Sequence, residues 1–232
     1  MTSASLASRA SALLRSEPSM ASGWIFSRNA AGFLEPVLLL TVGGSAYGAA
    51  MGLWRDPLLA AYVAIKLPLL LVLTALTNAV LNGLWARRLG LDLTFAQSLR
   101  AVLLAFGVAG IVLGSFALVI LLFDLTLPGP ESVGARVGHD VLALSHVLAI
   151  AVAGIAAVRR QQRWLREACP SAAHDDRVVL SWLAVNLIVG AQLSWNLRPW
   201  FGTPGMEVEF LREDAFQGTL YESVYRMVLY HF

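Results

Sequence analysis

Long apolar stretches, nearly free of charge and separated by arginine-bearing loops, constrain this chain more than any other feature. A helix needs ~20 such residues to cross a hydrocarbon core of about 30 Å. Five stretches qualify: about Leu34 to Trp54, Leu58 to Trp85, Ala101 to Phe123, Val141 to Val158 and Val178 to Leu197. Composition agrees, because 57% hydrophobic and 14% charged residues give more apolar surface than one soluble core of this length needs. The mean hydropathy of +0.67 points the same way. A transmembrane barrel is disfavoured, since the runs are continuous and do not alternate with period two. The expected fold is all-α, a polytopic transmembrane helical bundle of about five spans. Residues 1–33 are expected to form an N-terminal segment, 34–197 the bundle, and 198–232 a tail with an interfacial amphipathic helix.

Charge orients this bundle. Arg9, Arg15, Arg28, Arg87, Arg88, Arg100, Arg159, Arg160, Arg163, Arg166 and Arg177 lie on one side of the spans; Arg55, Arg136, Arg198, Arg212 and Arg226 lie on the other. The basic excess marks the cytoplasmic side, so the N-terminus is expected inside and the C-terminus outside. Sixteen of the seventeen basic residues are arginine, a composition that hints at a GC-rich bacterium and hence at a cytoplasmic (inner) membrane. The arginines sit as loop anchors with no basic, aromatic-interleaved stripe, and no nucleic-acid partner is expected.

Small residues let membrane helices approach closely. Gly44, Gly48 and Gly52 stand four apart on the first span, and Gly110 and Gly114 on the third. They are the candidate packing residues, for contacts inside one bundle or for a seam between copies. Beyond Leu197, Arg198-Pro199-Trp200-Phe201-Gly202-Thr203-Pro204-Gly205 ends the helix. A final helical face over Phe216 to Phe232 carries Phe216, Leu220, Val224, Met227 and Val228.

Ionisable or amide side chains inside hydrocarbon need a partner or a function. Ser45, Lys66, Ser115, His146 and Asn186 fall at about the same depth from the outer ends of their spans, ~12–16 Å. Lys66 is expected to share a face with Thr77, and Thr74, Asn78 and Asn82 extend that polar stripe. Ser181, Gln192 and Asn196 align on the fifth span. The candidate ligand or pore residues are therefore Ser45, Lys66, Thr77, Asn78, His146, Asn186 and Gln192. Lys66 would either satisfy the carbonyl freed by Pro68, snorkel outward, or face a polar or anionic guest.

Chemistry is harder to assemble. Gly43-Gly44-Ser45-Ala46 resembles the glycine-flanked serine of rhomboid-type proteases, with His146 at matching depth, but nothing evident orients the imidazole and other parts of that pattern are missing. His139 and His146 stand two helical turns apart, ~10.5 Å, too far to share a metal ion. The run from Cys169 to Asp176 could bind zinc only with ligands from elsewhere, and the lone Cys169 excludes an internal disulfide. No catalytic residue, cofactor or metal is expected.

Five spans, an inside N-terminus, an outside C-terminus and the Lys66-Leu67-Pro68 entry into a leucine-rich helix resemble the Yip family of membrane proteins and its bacterial relatives, over about Glu35 to Leu197. The segment Gln192-Leu193-Ser194-Trp195-Asn196-Leu197-Arg198-Pro199-Trp200-Phe201-Gly202 is similar to endings of bacterial multi-pass proteins and departs from the Yip pattern. The resemblance implies a non-enzymatic membrane organiser. The expectation is a subunit of a membrane complex, with the lipid bilayer and either further copies or other membrane subunits as partners. The alternative is a channel or transporter for a small anion or polar solute passing Lys66.

Overall fold

The computed structural model describes residues 11, 13–15, 23–26, 31–88, 94–168, 176–202 and 205–231. Six long helices follow in order: α1 (Ala31–Leu53), α2 (Pro57–Arg88), α3 (Phe95–Thr126), α4 (Ala135–Ala168), α5 (Asp176–Asn196) and α6 (Leu220–His231). No strand occurs among the described residues. Among the described residues, four helices are long and apolar enough to cross a membrane, over Gly32–Leu53, Pro57–Leu81, Phe95–Thr126 and Ala135–Trp164. The α5 helix, 21 residues long, carries Ser181, Asn186, Gln192, Ser194 and Asn196 among its apolar residues.

Local signals explain where the helices begin. The turn after α1 places Asp56 so that its carboxylate accepts from the Leu58 backbone N–H at 2.6 Å, with Pro57 opening α2 where no N–H is needed. Thr94 and Gln97 form a reciprocal capping box at the start of α3. A second reciprocal pair, Thr219 with Glu222, opens α6. That pair corrects the sequence expectation of a helix from Phe216: Gly218 has φ 71°, the chain turns there, and Phe216 stands exposed outside the helix.

The core α1 helix packs against α2 and α3; α4 packs on α3, and α5 on α2. Glycines set these distances. Val63 O of α2 lies 2.5 Å from where a Cβ on Gly48 would sit, and Ala60 N 2.6 Å from one on Gly52. On the neighbouring face, a Cβ on Gly110 would meet Leu40 Cα at 2.7 Å, and one on Gly114 would meet Gly43 Cα at 2.9 Å. These glycine rows therefore close seams within the bundle, α1 on α2 and α1 on α3. Gly44 is looser, its nearest neighbours at 3.6 Å.

The bundle is apolar outside and polar at selected points inside. Val42, Ile65, Leu76, Leu118, Leu144 and Val147 are exposed, whereas Lys66, Asn78 and His146 are buried. Near the arginine-rich end, Leu13 and Ile25 pack with Leu104, Val108 and Trp164. Arg160 donates to Leu13 O at 3.0 Å and Arg100 to Ile25 O at 3.5 Å, so these two arginines hold the preceding segment to the bundle.

Candidate functional site

The expected polar layer separates into three pairings. Lys66 is 0% exposed, yet no side chain of its own helix satisfies it. Its Nζ donates to Pro199 O at 3.0 Å and lies 5.0 Å from the Phe210 ring centroid. Both partners belong to the tail, so the ammonium gains a charge-assisted hydrogen bond and a cation–π contact from a segment folded back over the bundle end. Tyr62 stacks edge-on against Phe210 at 5.2 Å and walls the site on one side. The carbonyl that Lys66 reaches is thus 133 residues away in sequence, and not the one freed by Pro68.

His146 of α4 pairs with α1. Its Nδ1 meets the Tyr47 hydroxyl at 2.9 Å, both residues are buried, and Nε2 has no hydrogen-bond partner. Phe201 of the tail stacks 5.6 Å from His146 and 5.1 Å from His139, joining the two histidines through an aromatic ring. The imidazole is therefore occupied by Tyr47, not by Ser45, which lies partly buried on α1. A tyrosine deep in a span is the signal that sequence reading passed over, since its hydroxyl must find a partner there. Removing that hydroxyl, as in Tyr47→Phe, leaves both imidazole nitrogens unbonded. The expected cost is about 1–3 kcal/mol of bundle stability. Thermal unfolding in detergent measures it, and a midpoint equal to wild type would refute the assignment.

The third pairing ties α2 to α5. The Asn78 amide donates to Asn186 Oδ1, and Asn78 Oδ1 has no partner. Thr77 does not join Lys66 or Asn78; it is exposed and its hydroxyl donates back to Leu73 O. Ser115 likewise donates to Ile111 O on its own helix. Gln192 acts elsewhere: its Oε1 accepts from Leu220 N at the start of α6 and its Nε2 donates to Asn196. With Tyr221 donating to Ile188 O, this fastens α6 to α5.

The tail is held at further points. Arg55 donates to Met206 O at 2.8 Å, and Trp200 Nε1 to Ser194 O at 2.9 Å. Arg198 forms an ion pair with Asp214 at 2.8 Å while stacking on Trp195. Between tail and bundle a surface pocket of about 150 Å³ is lined by residues including Arg55, Pro199, Glu207, Glu209 and Arg212. No group of three or more His, Cys, Asp or Glu placed to hold a metal ion occurs among the described residues. The run from Cys169 to Asp175 and the Asn82 side chain lie outside them. No protein-family model, no curated protein and no solved structure matches the chain.

Proposed function

We propose that this chain is a five-span membrane protein with its arginine-rich ends in the cytoplasm and its tail on the opposite face. It acts without catalysis as a subunit or organiser of a membrane complex, the role that the Yip-like resemblance implies. The fifth span is α5, whose polar side chains are offset by Asn78 and by α6. A bacterial cytoplasmic membrane fits the arginine-dominated composition.

One observation carries the reading. Three of the polar side chains buried in the bundle are paired with one another's helices or with the tail: Lys66 with Pro199, His146 with Tyr47, Asn78 with Asn186. Such pairings fix a shape and present the tail as a platform bearing both charge signs, Arg212 beside Glu207 and Glu209. A solute path along Lys66, the alternative, would first have to release the lysine from the Pro199 carbonyl.

Crosslinking in intact membranes, followed by mass measurement of the detergent-purified material, tests the reading. The expected result is a species larger than one chain, lost when the charges of Glu207, Glu209 and Arg212 are removed together. A strict monomer with no crosslinked partner would refute it. Solute flux into proteoliposomes that disappears in Lys66→Met would favour the channel instead.

A further inference from the structure

A cavity of about 410 Å³ lies between α4 and α5, which are not packed against each other along their lengths; α2 and α3 form its floor. Its lining runs from Ile150 to Gln161 on α4 and from Leu183 to Ser194 on α5, a length of about 16 Å at 1.5 Å per residue. A slot of this length and volume accommodates one extended hydrocarbon chain. Small residues make the space, Ala109, Ala153, Gly154 and Gly190 among them, and a Cβ on Gly154 would meet nothing within 4 Å.

Two polar atoms in this apolar lining lack partners. Thr74 is 3% exposed and Gln161 7%, and neither Thr74 Oγ1 nor Gln161 Nε2 makes a hydrogen bond. A buried donor left unmade costs about 1–3 kcal/mol, which a ligand acceptor would recover. Gln161 stands at the arginine-rich end of the cavity. The site thus combines a slot sized for one chain with a hydrogen-bond donor at its arginine-rich end.

We infer that this crevice holds one acyl chain of a glycerophospholipid, with an ester carbonyl accepting from Gln161. The inference rests on the membrane reading above. The lipid fills the gap between α4 and α5 and couples the two helices through its chain.

Titration of the detergent-solubilised full chain with dipalmitoyl phosphatidylglycerol, read by native mass spectrometry, tests this. One adduct per chain is expected. Gly154→Leu and, from the facing wall, Ala191→Leu should each weaken it about tenfold by occupying the space of about two methylenes. Gln161→Leu should weaken it about fivefold through the lost hydrogen bond. Should the leucine variants fail to fold, Gly154→Ala is expected to cost about fourfold. Filling variants that bind like wild type, or a chain dimer that excludes lipid, would each overturn the site. Wild type that stays in the detergent phase without an adduct overturns the lipid site alone; wild type recovered in the aqueous phase overturns the membrane reading as well.

Discussion

Gly43→Ala is expected to lower the thermal unfolding midpoint in detergent by about 10 °C, while Gly44→Ala one residue along leaves it nearly unchanged. A Cβ on Gly43 would lie 2.0 Å from Gly110 O and 2.5 Å from Gly110 C, both backbone atoms of α3. No rotamer change relieves such a contact, so α1 and α3 must separate. The core then loses packing around Leu40 and Leu104, both 0% exposed. Overpacking of this kind costs about 3 kcal/mol or more. On Gly44 the added methyl finds Leu71 Cδ1 and Pro68 N at 3.6 Å, ordinary contact distances. Equal midpoints for the two variants would show that the α1–α3 seam is not as close as described.

The contrast between those neighbours also marks how far the residues could be read in advance. Spacing by four drew attention to Gly44, Gly48 and Gly52, yet Gly43 is the one that touches Gly110 directly. A pattern along one helix carries no information about which partner each face meets. Helix existence was legible from hydropathy, because apolar length is what a bilayer reads. Helix extent was less so: α4 continues to Ala168 through Arg159, Arg160, Gln161 and Gln162, since a hydrogen-bond ladder continues past the point where an apolar window stops. The candidate site suffered from the same limit. Counting residues placed five polar groups at one depth, whereas contact depends on angle about the axis. Lys66 and Asn78 lie about 120° apart on an ideal helix, and they face the tail and α5 respectively. Lys66 and Thr77 were expected on one face; Pro68 stands between them and interrupts the helical ladder. The tail partners, Pro199 and Phe210, had no periodicity from which to be found.

Lys66→Met is expected to leave the bundle folded while freeing the tail, and Lys66→Glu to destabilise both. The methionine is close to lysine in volume and brings no charge to desolvate, so the α2 helix keeps its packing; replacing a buried ion by an apolar residue is often neutral for global stability. What disappears is the bond from Nζ to Pro199 O and the charge over Phe210. A hydrogen bond from a charged donor contributes about 1.5–3 kcal/mol, so backbone amides between Phe201 and Arg212 should exchange with solvent at least about tenfold faster. The Arg55 bond to Met206 and the Arg198–Asp214 pair keep the segment from full release. Glutamate, in contrast, sets a carboxylate against the Pro199 carbonyl, acceptor against acceptor, and beside the face of the Phe210 ring. An unpaired buried charge costs about 3–5 kcal/mol, enough to expose α2 as well as the tail. Hydrogen exchange followed by mass spectrometry resolves the two regions separately. Tail peptides of the methionine variant that exchange at the wild-type rate would show that Lys66 does not hold the tail, and a glutamate variant as stable as wild type would show that the lysine is not buried.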